Sequence, residues 1–113
     1  MIETSVYFDL LGFSVKYLIG QNAKDNFDIL DRASPDDWWF HVCNKPSCHV
    51  IAQLPGKLDR HDLRYVKKQG AVLCRQHSSV ADSKEKIMCA KVKYVQKTDI
   101  IGQVHVENYS IIN

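Results

Sequence analysis

The chain has no apolar run approaching the ~20 residues that a membrane-spanning helix needs, so no membrane association is expected. Its first residues, Met1-Ile2-Glu3-Thr4, place no basic residue ahead of an apolar stretch, and a secretory signal is not expected. The default is an intracellular, cytoplasmic protein, in which Cys43, Cys48, Cys74 and Cys89 are reduced thiols rather than two disulfides. There is no Walker A sequence, no dinucleotide fingerprint and no glycine-flanked nucleophilic serine. No Glu stands two residues after His41 and no Cys-x-x-Cys pair exists, so the deaminase arrangement fails. Nothing nominates a reaction, and neither an enzyme nor a cofactor is expected. Repeats, low-complexity tracts and linkers are absent too. The 113 residues, 45% of them hydrophobic and 25% charged, therefore suit one globular domain spanning 1–113.

What is present is unevenly charged. The net charge of +2 hides seven acids against three bases over residues 1–40. Residues 57–97 carry eleven bases (among them Lys57, Lys67, Lys68, Arg75, Lys91, Lys93 and Lys97) against four acids, a local excess of +7. Clustered Lys and Arg gain affinity for a polyanion by displacing counterions from phosphates. The same charges also suit a solvated helix and a lysine-protected edge strand with no partner at all.

Val6–Leu10 and Phe13–Ile19, rich in β-branched and aromatic residues, flank Leu11-Gly12 and predict a hairpin. Asn22 is a good N-cap for a short helix with Ala23, Phe27 and Leu30 on one face, stopped at Ser34-Pro35. Residues 38–42 and 49–54 predict two more strands. From Leu58 the apolar positions Leu63, Val66, Gly70, Leu73, Cys74 and His77 recur every three to four residues, an amphipathic helix capped by Asp59. Gly70 inside that helix predicts either a weak point or a closely packed neighbour. Residues 78–86 form a polar loop, 88–95 a strand, 99–102 a turn, and 104–106 with 109–112 a final hairpin. The expected fold is α+β, a mostly antiparallel sheet with one long amphipathic and one short helix, in the order ββα-ββ-α-βββ.

The most distinctive stretch is Asp37-Trp38-Trp39-Phe40-His41-Val42, followed by Pro46-Ser47-Cys48-His49-Val50. On a strand, Trp38, Phe40 and Val42 face one way and Asp37, Trp39, His41 and Cys43 the other. The second set either offers an indole and an imidazole to an unpaired base, or is buried, with Trp39 beneath the long helix. His41, Cys43, Cys48 and His49 have zinc-ligand chemistry, but adjacent Cys48 and His49 point to opposite faces of a strand, so no metal is expected. Lys91, Lys93 and Lys97 fall near one sheet face and, with Lys67 and Lys68 on the helix, suggest a phosphate track.

With those residues in view, the chain resembles the NFACT-R family over nearly its whole length. The family's glycine–basic–Asn-Ala motif matches at Gly20, Asn22, Ala23 and Asn26. Its Asp-aliphatic-Trp-Phe-His-Val core matches at Asp37, Trp39, Phe40, His41 and Val42, and its following turn at Pro46, His49 and Val50. Lys93, Tyr94, Val95, Lys97, Gly102 and Val104 agree with its later pattern. Gln21 stands where the family usually has Lys or Arg, Phe27 where an acid is common, Ser47-Cys48 in place of Gly-Ser, and Trp38 in place of a smaller aliphatic residue.

The resemblance implies a stand-alone, non-catalytic RNA-binding domain, with tRNA or ribosomal RNA as partner, in ribosome-associated quality control and in contact with the large ribosomal subunit. DNA is left open. On this reading Asn22, His41 and His49 form the polar centre of the site, and Trp39 is its stacking platform or its buried floor. Lys67, Lys68, Lys91, Lys93 and Lys97 supply phosphate contacts. The alternative is a protein–protein interaction module docking on ribosomal or regulatory proteins.

Overall fold

The computed structural model describes residues 1–79 and 84–113, so part of the expected polar loop lies outside the described residues. The elements are β1 (Ile2–Phe8), β2 (Phe13–Gly20), α1 (Ala23–Asp31), β3 (Trp38–Val42), β4 (His49–Gln53), α2 (Arg60–Gln76), β5 (Ile87–Lys91), β6 (Val95–Lys97), β7 (Val104–Val106) and β8 (Ser110–Ile112). The fold is α+β, as the sequence predicts. Six strands form one antiparallel sheet in the order β1-β2-β4-β3-β5-β8, and β6 pairs with β7 as a separate ribbon.

Both helices begin where the capping residues place them. Asn22 accepts a hydrogen bond from the Asp25 backbone N–H at 2.8 Å, and Asp59 one from Asp62 at 2.7 Å. α2 covers one sheet face, burying Val66, Ala71 and Cys74 against Tyr17, Phe40, Val42 and Ile87. α1 and the β6–β7 ribbon cover the other, where Leu18, Ile29, Trp39, Ile51 and Ala90 are packed with Val95 and Val104 around them. The sheet is thus covered on both faces. Trp39 is 1% exposed, beneath α1 and the ribbon rather than beneath α2.

Gly70 resolves in favour of the closely packed neighbour. A Cβ at that position would lie 2.4–2.8 Å from three atoms of the Phe40 ring, so the missing side chain lets α2 settle onto β3. Alanine normally favours a helix over glycine by about 1 kcal/mol. Here Gly70→Ala is expected to destabilise instead, by roughly 1–3 kcal/mol, because a core ring must be displaced. Urea unfolding checks this; a stabilised variant would mean that α2 is free to lift off the sheet.

Two local expectations are corrected. The strand expected over 88–95 is broken by a 3-10 turn at Val92–Tyr94. There the chain leaves the sheet because Val92 N–H donates to the Asp37 carbonyl at 2.8 Å and Lys93 N–H to that of Pro35 at 3.0 Å. The expected terminal hairpin does not form between its two strands: β7 pairs with β6, while β8 pairs with β5 at the edge of the main sheet. Among the described residues no helix is long and apolar enough to cross a membrane, and all four cysteines are free.

Candidate functional site: a histidine cleft

β3 and β4 pair in a register that sets Trp38 opposite Ala52, Trp39 opposite Ile51 and Phe40 opposite Val50. One more step of that register brings His41 beside His49, where the ladder stops. Beyond it Val42 N–H is taken by the Ser47 hydroxyl at 3.1 Å, so the turn opens away from the sheet. The result is a cleft of about 990 Å³, walled by the β2–α1 corner (Gly20–Ala23), the β3–β4 turn, the segment after α2 (His77–Ser79) and the ribbon tip at Ile101–Val106.

The motif glycines and asparagines hold these walls together. A Cβ on Gly20 would lie 2.2 Å from Asn26 Oδ1, so glycine lets α1 close onto β2. Asn26 Oδ1 then accepts the His49 backbone N–H at 3.3 Å. Gly102, at φ 84°, would meet Ala23 Cβ at 2.7 Å if it carried a side chain. The left-handed backbone and the close approach both require glycine there. Asp37 lies outside this cleft: its carboxylate accepts from Ser34 N–H at 2.8 Å and Leu54 N–H at 2.9 Å, tying the entry of β3 to the exit of β4.

Inside the cleft three rings pack as a unit. His41 stacks on Trp39, with centroids 5.6 Å apart and planes inclined by 13°. His49 stands edge-on to both, 5.4 Å from Trp39 and 4.9 Å from His41. Trp39 Nε1–H donates to His49 Nδ1 at 3.1 Å, and His41 Nδ1–H donates to the Val42 carbonyl at 2.6 Å. Burial, reinforced by the neighbouring His41, pushes the His49 pKa down to about 3. Burial also lowers that of His41, against the pull of its carbonyl partner. Both rings are therefore neutral at pH 7.

The Cys48 thiol turns to the other side of the strand, 3.2 Å from Ser78 Oγ and 3.5 Å from the Cys74 carbonyl. The opposite orientations of Cys48 and His49 match the sequence expectation. Among the described residues, the one group of three or more closely spaced candidate ligands is Asp59, His61 and Asp62 at the start of α2.

The structure thus gathers Asn22, Trp39, His41 and His49 at one place. Trp39 is its floor, closed off from any ligand by His41, and not a stacking platform. The five lysines lie elsewhere. Lys67 Nζ sits 3.8 Å over the Trp38 ring. Lys91 and Lys93 are 3.7 and 3.6 Å from Asp36, and Lys97 pairs with Asp31. Lys68 is exposed on α2. Lys57 and Lys91 line a second, smaller hollow of about 450 Å³ beside Trp38. The lysines form no single track with the cleft, and the lysine that does line the cleft, Lys45, is engaged by Glu85. Among the cleft residues that sequence reasoning missed are Ser78, His105 and Tyr109, which come from segments distant in the chain.

No family model matches the chain, and no curated protein is found to be similar to it. Among solved structures, the C-terminal part of the fibronectin/fibrinogen-binding protein from Streptococcus suis shares the fold, with a TM-score of 0.78 and 24% identity over 97% of this chain. This chain spans 43% of the length of that structure.

Proposed function

We propose that the chain is a non-catalytic RNA-binding module of the NFACT-R kind, acting in the cytoplasm on tRNA or ribosomal RNA in ribosome-associated quality control. The observation that carries this reading is the cleft itself. It has the size of a small-molecule or nucleotide site. It is lined by amide, hydroxyl and imidazole groups and the Lys45 ammonium, with no carboxylate among the described residues of the lining, and it contains most of the residues through which the chain resembles that family. Asn22, His41 and His49 supply its polar centre. On α2 the half-buried Lys67 and the exposed Lys68 supply phosphate contacts that need not adjoin it.

The test is fluorescence anisotropy with labelled tRNA at two salt concentrations. Binding that weakens steeply with salt is expected. Lys67→Glu combined with Lys68→Glu should reduce affinity at least tenfold and flatten the salt dependence, with the fold intact by circular dichroism. Unchanged affinity would remove α2 from the interface.

A protein partner is the second reading. Ile100, Ile101, Tyr109 and Ile111 are 58%, 57%, 51% and 43% exposed near the ribbon, an apolar rim of the type that marks protein contacts. The structural neighbour is named for binding fibronectin and fibrinogen. Absence of tRNA binding at moderate salt would overturn the RNA reading in favour of that rim.

A further inference from the structure

We propose that the histidine cleft receives the edge of an unpaired nucleobase, and not a phosphate. The inference rests on the RNA reading and adds which part of the nucleic acid enters.

The hydrogen bonds fix both imidazole tautomers. An indole N–H can only donate, so His49 Nδ1, at 3.1 Å from Trp39 Nε1, carries a lone pair, and the neutral ring bears its proton on Nε2. A backbone carbonyl can only accept, so His41 Nδ1, at 2.6 Å from the Val42 oxygen, carries a proton, and its Nε2 is left with a lone pair. Neither Nε2 has a hydrogen-bond partner among the described residues.

The two rings meet edge to face at 4.9 Å and both line the cleft, so neighbouring rings of its lining carry one unpartnered donor and one unpartnered acceptor. The donor is the more telling of the two. His49 is 3% exposed as a residue, yet its partnerless Nε2–H is not sealed from solvent, so it is open to a ligand that enters the cleft it lines.

This pair discriminates between ligand chemistries. A phosphodiester of the RNA backbone offers acceptors only and would face the His41 lone pair, with no uncommitted lysine among the described residues lining the cleft to offset the repulsion. Every nucleobase carries a donor beside an acceptor along one edge and is uncharged. An unpaired base can present that edge, whereas a duplex hides it. Trp39 takes part as a positioning residue: by donating to Nδ1 it holds the His49 proton on Nε2.

The experiment is nitrogen-15 NMR of the histidine rings in the full chain, titrated separately with adenosine, cytidine, uridine and dimethyl phosphate. In the free protein His49 should show the Nε2–H tautomer and His41 the Nδ1–H tautomer. Nucleosides should shift both rings, and phosphate neither. Trp39→Phe keeps an aromatic floor but releases the tautomer; it should weaken nucleoside binding at least tenfold and give His49 mixed tautomer signals. The assignment is overturned if phosphate moves these rings as strongly as the nucleosides do, or if His49 is found as the Nδ1–H form. If tRNA binds by anisotropy while no nucleoside moves either ring, the base-edge assignment fails and the RNA reading stands. Nucleoside shifts without tRNA binding would support the base-edge chemistry and overturn the RNA reading.

Discussion

Trp39→Ala is expected to remove about 3–5 kcal/mol of stability, the range for truncating a fully buried tryptophan. In a domain of this size that lowers Tm by roughly 15–25 °C. The loss has two parts. The indole fills the space between β3 and the α1–ribbon layer, where it packs with Leu18, Ile29, Ile51 and Ala90. Its Nε1–H also satisfies His49 Nδ1, and deleting it leaves a buried acceptor unpaired beside a cavity. Thermal unfolding followed by circular dichroism measures the sum, and Trp39→Phe separates the parts by keeping most of the volume and losing the donor. A Trp39→Ala protein as stable as the parent would mean that the α1–ribbon layer contributes little to the fold.

The second large effect is acid sensitivity. In the unfolded chain a histidine titrates near 6.5, whereas in the fold His49 resists protonation down to about 3. Between those values the unfolded state binds more protons, so stability falls as pH is lowered. His49 alone accounts for roughly 2 kcal/mol by pH 5 and roughly 4 kcal/mol by pH 3. His41, also lowered by burial, acts in the same direction. Protonating His49 also places a hydrogen on Nδ1, where the Trp39 donor sits, so indole and imidazole can no longer bond. Urea unfolding at pH 7.5 and 5 checks the slope in a window above most carboxylate titration. His49→Asn should be less stable at pH 7.5 but lose less on acidification. Should that variant fail to fold, ring NMR of the parent decides, because a His49 signal titrating near 6.5 would sink the argument.

Much of the fold was legible because its signals are local. Asn22 and Asp59 mark helix starts through side chains that reach three residues ahead, and Leu11-Gly12 marks a turn between two apolar runs. What was illegible depends on contacts between distant segments. The alternation from Met88 to Val95 runs unbroken in sequence, yet the strand ends at Lys91 because the 35–37 turn captures the next backbone donors. Asn108, at φ 50°, gives a genuine turn signal, but the strands on either side of it join different sheets.

The site divides along the same line. The histidine cluster could be read from β3 and β4, which neighbour each other in the chain. The lysine track could not, because a charge count along a sequence does not say which acids fold back onto it. Asp31 and Asp36, from the acidic first third, answer Lys97, Lys91 and Lys93. Two acids of the first third thus offset part of the later segment's excess, and Lys67 and Lys68 on α2 are left outside those pairings.

Trp38 and Trp39 are adjacent in sequence, yet the sheet separates them: one lies under the Lys67 ammonium on the α2 side, the other beneath His41 on the α1 side. The protein therefore carries an intrinsic fluorophore in each of its two layers. With Trp38→Phe the remaining emission reports the α1–ribbon layer and its histidines; with Trp39→Phe it reports the packing of α2. Loosening of the two layers during unfolding can then be timed separately, without any external label.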